Sequence, residues 1–227
     1  MYKCTCIIPV YNEGSRILRV LNEVARIKSI DEIICVNDSS TDNTLELIKK
    51  YHFNIKVVTT PKNLGKTGAI KEGLQVSTGD YILLLDGDLR NLQHQEVENA
   101  VTNILKDPAV DMIILRRINA PWNIKILRGD ILVSGERLLR KEDLKNILKN
   151  LKPEKYQLEF ATNKYMMMNN KKVYWMPSSA LNTWPTTKFG FAIGMNKIIS
   201  MNQNILAYLG FVNYLKQLLF FCRQKLT

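Results

Sequence analysis

Apolar segments alternate with amphipathic segments along the first half of the chain. The apolar segments are short, rich in β-branched residues and bounded by turn-forming residues, which is typical of strands. The segments between them carry apolar residues at helical spacing. The predicted strands are 3–10, 32–36, 55–59, 81–85 and 110–115, and the predicted helices are 15–28, 44–51, 66–77 and 93–105. Because strands and helices alternate, we predict an α/β fold with a mostly parallel central sheet flanked by helices.

The alternation weakens in the second half of the chain. We predict mixed structure over 124–134, a basic helix over 141–149, a helix over 155–168 and a late strand over 173–176. No internal repeat or low-complexity linker separates the two halves. We therefore predict one domain over 1–200, with halves at 1–115 and 116–200, followed by a C-terminal segment over 201–227.

The C-terminal segment is strongly apolar, but Asn213, Lys216 and Gln217 interrupt it in the middle. A membrane-spanning helix needs about 20 predominantly apolar residues in a row. The pattern therefore predicts an amphipathic helix, which lies on a membrane interface or packs against protein. Three surfaces stay open as its partner: a membrane, the core of the same chain, and a second subunit in a homodimer.

Composition narrows the partners of the chain. Its 227 residues carry a formal net charge of +11 and are 46% hydrophobic, which is enough for a sizeable core. Such a charge favours anionic partners, among them phosphates, nucleic acid and an acidic membrane face. Nucleic acid ranks last, because basic and aromatic residues are not interleaved along the chain.

The cysteines and the first residues of the chain bear on its compartment. Cys4, Cys6 and Cys35 lie inside apolar runs, which predicts small buried side chains rather than disulfides. The first residues show no basic leader followed by a long apolar stretch. We therefore expect a cytoplasmic protein, placed at the inner face of the membrane if the C-terminal helix binds lipid.

The sharpest chemical feature is the triplet Asp86-Gly87-Asp88, a D-x-D motif that directly follows the apolar strand 81–85. Two carboxylates this close repel each other unless a cation joins them. Mg²⁺ and Mn²⁺ favour a few carboxylates together with phosphate oxygens, so a diphosphate-bound metal is the natural occupant. The alternative is a polar turn, which Asp-Gly commonly begins.

Other polar residues follow the remaining predicted strands. Ligands of open α/β sheets bind outside the carboxyl ends of the strands, where Asn12, Glu13, Asp38 and Asp86 fall. Asp38 is predicted to accept hydrogen bonds from a base or ribose, or else to cap a turn or helix. Lys66, at a helix start, suits a diphosphate. No complete phosphate-binding loop and no GxGxxG motif is present, which argues against P-loop and dinucleotide-binding enzymes.

Several motifs together resemble the family 2 glycosyltransferases. In chain order they are Cys6-Ile7-Ile8-Pro9-Val10-Tyr11-Asn12-Glu13, Val36-Asn37-Asp38-Ser39-Ser40-Thr41-Asp42-Asn43-Thr44, Asn63-Leu64-Gly65-Lys66, Thr78-Gly79-Asp80-Tyr81 and Asp86-Gly87-Asp88. The resemblance implies the type A glycosyltransferase fold, a nucleoside-diphosphate sugar as donor, and Mg²⁺ or Mn²⁺. One departure is Asn37, where the family often has a second aspartate, and this bears on recognition of the base.

The resemblance also implies roles for individual residues. Pro9, Tyr11 and Glu13 would line the nucleoside pocket, and Asp38 would contact the base. Lys66 would lie near the donor. Asp86 and Asp88 would flank the sugar diphosphate and the metal, with Asp88 in direct contact with the metal. In these terms, residues 1–115 form the nucleotide-sugar-binding half and residues 116–200 the acceptor-side half.

Beyond Asp88 the chain resembles the polyprenyl-phosphate sugar transferase branch more loosely. The segment 134–140 is similar to its acceptor-side segment, and 156–159 to its helix with an inward glutamate. Glu136 and Glu159 are therefore candidate catalytic carboxylates. Alternatively, Glu136 and Arg137 are solvated helix charges, and Glu159 pairs with a lysine.

Three arginines are candidate ligands of an acceptor phosphate, because a planar guanidinium suits this group. They are Arg116, Arg117 and Arg128. The alternative for each of them is ordinary surface charge.

The predicted activity is sugar transfer from a nucleoside-diphosphate sugar to an acceptor, such as a lipid phosphate or a cell-envelope glycan precursor. A phosphate acceptor is already ionised and needs no base, whereas a hydroxyl acceptor does. The resemblance favours inversion at the anomeric carbon. The main alternative is a non-catalytic domain that only binds a nucleotide sugar. Nucleotidyl transfer is less favoured, because no glycine-rich, arginine-bearing loop follows the first strand.

Overall fold

The computed structural model describes residues 2–51, 54–154, 157–182 and 190–226. Its strands are β1 Cys4–Val10, β2 Glu32–Asn37, β3 Ile55–Thr59, β4 Tyr81–Leu84, β5 Met112–Arg117, β6 Arg137–Arg140, β7 Val173–Ser178 and β8 Gln224–Lys225. Its helices are α1 Arg16–Val24, α2 Thr44–Lys50, α3 Gly65–Val76, α4 His94–Lys106, α5 Trp122–Ile126, α6 Gly129–Leu132, α7 Lys141–Asn150, α8 Leu158–Met168, α9 Phe191–Leu209 and α10 Phe211–Phe220.

The strands form one eight-stranded sheet in the order β3-β2-β1-β4-β6-β5-β7-β8. Strand β6 is antiparallel to both of its neighbours, and the other pairs are parallel. Leu84, the last residue of β4, therefore pairs with Arg137, the first residue of β6. As a result, the residues that precede β6 lie at the same sheet edge as the carboxyl ends of the parallel strands.

Helices cover both faces of the sheet, and each face has its own apolar core. On one face, α1 and α4 bury residues such as Val20 and Val101 against β1 and β4. On the other face, α3, α7 and α8 bury residues such as Ile70, Ile147 and Phe160. Strands of a parallel sheet are covered on both sides, which explains why the sequence of β4 is a continuous apolar run.

The predicted α/β fold with a mostly parallel sheet is confirmed, and each strand and helix predicted in the first half is present with shifts of a few residues at its ends. The prediction of buried, unpaired cysteines is also confirmed. Of the helix predicted over 155–168, residues 155 and 156 lie outside the described part of the chain. The described helix begins at Leu158.

Strand β6 is an element that the sequence did not reveal. The alternative in which Glu136 and Arg137 are solvated helix charges is wrong, because both side chains are buried and Arg137 begins this strand. Burial was not evident from the sequence, since the segment carries charges at both ends of a short apolar pair.

The single C-terminal helix predicted over 201–227 is also wrong. Helix α9 begins ten residues earlier, at Phe191, and ends before Gly210, and α10 and the short strand β8 follow. Gly210 has φ 71° and ψ 152°, a conformation essentially restricted to glycine, so the helix must break there. Among the described helices, none combines the length and the apolar character needed to cross a membrane.

Candidate active site

The loops after β1 and β2 are bonded to each other at the carboxyl edge of the sheet. The Thr44 hydroxyl accepts hydrogen bonds from the backbone N–H of Glu13 at 2.9 Å and from that of the next residue at 2.8 Å. The buried carboxylate of Glu13 is paired with Arg16 at 2.9 Å. Pro9 is half-buried, and Tyr11 is 43% exposed. Tyr11 is therefore open to a ligand, whereas Glu13 serves the loop itself.

Asp38 follows β2 and is almost fully buried, with 3% of its surface exposed. Its Oδ1 accepts from Thr60 Oγ1 at 2.9 Å and from the N–H of Leu64 at 2.8 Å, and its Oδ2 accepts from the N–H of Gly65 at 2.8 Å. Gly65 opens α3, so the carboxylate stabilises the positive end of that helix. Contact between Asp38 and a base stays a prediction.

Lys66, Asp86 and Glu159 meet at the centre of the edge. The Lys66 ammonium lies 2.7 Å from Asp86 Oδ1 and 2.8 Å from Glu159 Oε1. Burial alone would lower the pKa of Lys66, but the charges of the two carboxylates outweigh burial and raise the pKa. Burial would likewise raise the pKa of Asp86, but the Lys66 charge holds that pKa below its usual value. Lys66 and Asp86 therefore stabilise each other's charged forms, and the Glu159 carboxylate lies on the other side of the same ammonium.

Glu136 adds a further carboxyl group, placed at this edge because β6 is antiparallel. The side chain is fully buried, and its Oε2 accepts a hydrogen bond from Ser134 Oγ at 2.7 Å. Its Oε1 is buried and has no hydrogen-bond partner among the described residues. Burial first, and then the nearby charge of Asp86, raise the pKa of Glu136. Glu136 therefore retains a proton more readily than an ordinary glutamate.

Arg137 lies behind the two glutamates as a buried support. Its guanidinium donates to the carbonyls of Ser134 at 2.7 Å, Glu159 at 2.9 Å and Leu132 at 2.9 Å, and to Asn163 Oδ1 at 2.6 Å. Burial lowers the pKa of Arg137 to about 10. Arg137 therefore connects the segment before Glu136 to the backbone of Glu159. Sequence reasoning quoted this residue without recognising that role.

Asn182 is a site residue that sequence reasoning missed. Its amide donates to Asp86 Oδ2 at 3.0 Å, and its Oδ1 accepts from Arg117 at 3.2 Å. The preceding residue, Leu181, is held by reciprocal backbone hydrogen bonds of 2.8 Å with Arg90, just past the D-x-D motif. No sequence pattern distinguishes this asparagine from others that follow a strand. Its position beside Asp86 became evident only from the backbone pairing of Leu181 with Arg90.

Arg116 and Arg117 end β5 but face different surroundings. Arg117 is directed to the site, where it bonds Asn182, and its Nε is buried with no partner in the described part of the chain. Arg116 is paired with the buried Asp130 and stacks over the Trp175 ring, with 4.7 Å to the ring centroid. Of the two, Arg117 alone is therefore positioned beside the central cluster.

Arg128 is occupied elsewhere. Its guanidinium donates to the carbonyls of Leu218 at 3.1 Å, Phe221 at 2.8 Å and Cys222 at 3.0 Å, at the end of α10. The last carbonyls of a helix have no partner within the helix, so Arg128 acts as a capping side chain. The structure does not bring it to the cluster around Asp86.

The D-x-D turn itself is shaped by its glycine. A Cβ on Gly87 would lie 2.6 Å from Val10 Cγ1 and 3.2 Å from the Pro9 carbonyl. Gly87 therefore allows the turn to pack against the end of β1, with Asp86 and Asp88 partly exposed on either side. The described residues contain no group of three or more His, Cys, Asp or Glu side chains placed to hold a metal. The donor set fits a hard divalent cation only if substrate oxygens complete its ligands.

Taken together, the sheet order, the D-x-D turn and the carboxyl-edge cluster define a nucleotide-sugar transferase architecture of type A. The profile described as Glycosyl transferase family 2 matches residues 5–175. The chain belongs to this family.

Comparisons with individual proteins agree with this assignment. A dolichyl-phosphate beta-glucosyltransferase of Trichomonas vaginalis is 40% identical over an alignment of 96 residues, and the match covers 37% of this chain and 28% of that protein. A poly(ribitol-phosphate) beta-N-acetylglucosaminyltransferase of Staphylococcus aureus is 33% identical over an alignment of 120 residues, and the match covers 50% of this chain and 36% of that protein. The aligned parts thus span well under two thirds of these curated relatives.

A solved structure extends the likeness over nearly the whole chain. Glucosyl-3-phosphoglycerate synthase of Mycobacterium tuberculosis, crystallised with Mn²⁺, UDP-glucose and phosphoglyceric acid, superposes with a TM-score of 0.70. The superposition covers 94% of this chain and 80% of that one, at 17% sequence identity. At this identity the likeness shows the fold.

Proposed function

We propose that the chain is a glycosyltransferase that transfers a sugar from a nucleoside-diphosphate sugar to a phosphate-bearing acceptor. The observation that carries this proposal is the cluster at the carboxyl edge, where the Lys66 ammonium lies 2.7 Å from Asp86 and 2.8 Å from Glu159. The buried Glu136 lies next to this cluster. Family membership supports the donor class. The phosphate-bearing acceptor is supported by the similarity to dolichyl-phosphate and phosphoglycerate enzymes and by the placement of Arg117.

In this proposal the two halves of the chain divide the substrates. Residues 1–115 hold the donor, with Pro9, Tyr11 and Asp38 on the nucleoside side. Residues 116–200 hold the acceptor, with Arg117 and Asn182 nearest to the reacting centre. Asp88, assisted by Asp86, would hold Mg²⁺ or Mn²⁺ together with the donor diphosphate. When bound, that cation would supply Lewis-acid stabilisation of the departing nucleoside diphosphate.

The two glutamates have different tasks in this scheme. Glu159, held by Lys66 and by the Arg137 contact with its backbone, borders the acceptor side. Glu136 has a buried oxygen with no partner among the described residues and a raised pKa, so its ionised form is a stronger base towards a hydroxyl acceptor than an ordinary carboxylate. An acceptor phosphate would need neither as a base, and both carboxylates would then act by orienting the substrates.

A contact with an anionic membrane is the second part of the proposal. Large apolar side chains are exposed on α5, on the residue after it, and on α10, and Arg128 fastens the two elements together. We call this the α5–α10 surface; its members are Trp122, Ile126, Leu127, Phe211, Val212, Leu219 and Phe220. Exposed basic residues, Lys125, Lys216 and Arg223, accompany it. Apolar and basic groups together suit an anionic lipid surface.

A thermal-shift screen tests the donor site. UDP, GDP, CDP and dTDP sugars are tested with and without Mn²⁺ on the wild type, on Asp88→Ala and on the control Asp107→Ala. Asp107 is an exposed aspartate at the end of α4 and lies outside the D-x-D motif. A ligand that binds the native state raises its melting temperature, by roughly 5–10 °C at a hundredfold excess over Kd.

We expect one nucleotide sugar to stabilise the wild type and Asp107→Ala only with Mn²⁺, and Asp88→Ala to lose that shift. The same nucleotide sugar is then incubated with candidate phosphate acceptors, and nucleotide release is measured. Stabilisation without any turnover would favour a non-catalytic nucleotide-sugar-binding domain. If no nucleotide shifts the wild type, the proposed donor site is wrong.

A further inference from the structure

Both oxygens of Asp86 are already occupied by protein groups. Oδ1 is 2.7 Å from the Lys66 ammonium, and Oδ2 accepts the Asn182 amide at 3.0 Å. The ammonium is also 2.8 Å from Glu159. Lys66 therefore already balances charge at the carboxylate that, together with Asp88, is the candidate ligand of a divalent cation.

The backbone closes the third side of the ammonium. A Cβ added to Gly135 would lie 2.4 Å from Lys66 Nζ and 2.9 Å from Asp86 Oδ2. Only a residue without a side chain allows the chain to pass this close to the ion pair. The Lys66 ammonium is thus enclosed by Asp86, by Glu159 of α8 and by the backbone just before β6.

This arrangement lowers the affinity of the site for a divalent metal while no donor is bound. A cation that approaches Asp86 meets the positive charge of Lys66, and the described residues offer no set of three side-chain ligands as compensation. A donor diphosphate changes both the repulsion and the shortage of ligands. It supplies oxygen ligands for the metal, and it is a second anion with which Lys66 can pair.

We infer that Lys66 is an internal counter-cation that makes divalent-metal binding depend on the donor diphosphate. It is a positioning residue: without the diphosphate it holds Asp86 and Glu159, and with the diphosphate it releases Asp86 to share in holding the metal. The order of binding, nucleotide with or before metal, follows from this role. The inference rests on the proposed donor and metal site.

The test is the affinity for Mn²⁺, measured by the electron paramagnetic resonance signal of the free ion. The full chain is titrated alone and then with UDP, GDP, CDP or dTDP, and protein-free nucleotide blanks correct for Mn²⁺ held by the nucleotide. The variant is Lys66→Met, and the matched control is Lys71→Met, an exposed lysine on the same helix. If Lys66→Met does not fold, Lys66→Gln, which is also neutral and can donate to Asp86, replaces it.

We expect Lys66→Met to bind Mn²⁺ without nucleotide at least about fivefold more tightly than the wild type, the lower end of typical coupling between sites. The enhancement by nucleotide should shrink by a similar factor, while Lys71→Met behaves as the wild type. Equal affinity in the two variants overturns the counter-cation role even if nucleotide enhances binding in the wild type. If no nucleotide enhances Mn²⁺ binding in the wild type, the proposed donor and metal site fails as well.

Discussion

The carboxylates at the two ends of β2 accept hydrogen bonds from residues that lie at least 22 positions away in the chain. Asp38 accepts from three such donors and connects the end of β2 to the start of α3. Glu32, at the other end of β2, accepts from Thr5 Oγ1 and the N–H of Thr78, each at 2.8 Å. Hydrogen bonds to a charged group are stronger than neutral ones, so each carboxylate stabilises the loops that it joins.

The pH dependence of stability follows from Glu32. Burial alone would raise the pKa of Glu32, but the hydrogen bonds from Thr78 and Thr5 outweigh burial and lower it. A carboxyl with a lowered folded-state pKa contributes stability above its unfolded pKa, and this contribution is lost as the pH falls through the folded pKa. We therefore expect Glu32→Gln to reduce the free energy of unfolding on the order of 1 kcal/mol at pH 7, and this cost to shrink as the pH falls through the lowered folded-state pKa of Glu32.

Urea denaturation of both proteins across pH 3.5 to 8 measures this difference. Glu142→Gln is the control, because the Glu142 side chain is 72% exposed. Its cost should be small at every pH. A cost for Glu32→Gln that is the same at pH 3.5 and pH 7 would show that the effect is steric and that the charge of Glu32 contributes nothing.

At the scale of the elements, the end of α10 is capped by Arg128, which follows α5 in the chain. Arg128 has φ 52°, in the left-handed region that non-glycine residues rarely adopt. From this conformation its guanidinium reaches three carbonyls at the end of α10. These contacts explain how an unfavourable backbone conformation is retained, and they assign Arg128 to helix capping.

We expect Arg128→Met to destabilise the chain by about 2 kcal/mol, because several carbonyls lose a charged donor while the apolar stem is kept. Urea unfolding and hydrogen exchange at residues 218–222 measure this change. Arg223→Met is the matched control, since Arg223 is exposed and bonds a carbonyl of the same helix. Unchanged stability, combined with weaker binding of a phosphate acceptor, would instead return Arg128 to the acceptor site.

The elements differ in how far the sequence predicts them. The first half is predictable because its strands are short, mainly apolar runs that alternate with amphipathic helices. Strand β6 is not, because burial of Arg137 requires carbonyls from Leu132 and Glu159, and such partners cannot be read from a local pattern. The break at Gly210 was likewise hidden, since a glycine between two apolar stretches is compatible with one continuous helix.

The candidate site, like the fold, was predictable from the sequence only in part. The strand end predicted the place of Asp86 and the helix start that of Lys66, and the structure brings the two to one edge because parallel topology collects these ends. The sequence could not show that Lys66 contacts Glu159, which is 93 residues away in the chain. Nor could it show Asn182, whose contact with Asp86 spans 96 residues.

At the scale of the whole molecule, we expect the net charge of +11 and the α5–α10 surface to contribute together to binding an anionic membrane. Trp122 is 75% exposed and Phe220 is 68% exposed, and large apolar groups with this exposure commonly mark an interaction surface. The loop that carries α5 and α6 follows β5, and Arg117 bonds the Gly129 carbonyl at 3.1 Å. The segment that carries Trp122 is therefore bonded to Arg117, on the proposed acceptor side of the site, where a lipid-linked phosphate would need to arrive.

Liposome flotation tests this surface. We expect the full chain to float with vesicles containing phosphatidylglycerol, to float less in high salt, and not to float with phosphatidylcholine alone, because charge and apolar burial are both required. The double variant Trp122→Ser and Phe220→Ser should bind these vesicles at least about tenfold more weakly, since two large side chains no longer enter the lipid. Tyr2→Ser, at an exposed aromatic residue elsewhere, is the control.

Ile205 and Leu209 of α9 are buried in the core of the same chain, so the open question concerns the exposed face of the C-terminal helices. Sedimentation of the same proteins without lipid distinguishes a membrane from a second subunit as the partner of that face. If the wild type does not float but sediments as a dimer, and the double variant sediments as a monomer, the surface is a homodimer interface and the membrane proposal is wrong. If the wild type floats and stays monomeric, lipid covers the α5–α10 surface. In that case Arg128, which holds the two elements together, should be required for flotation as well as for stability.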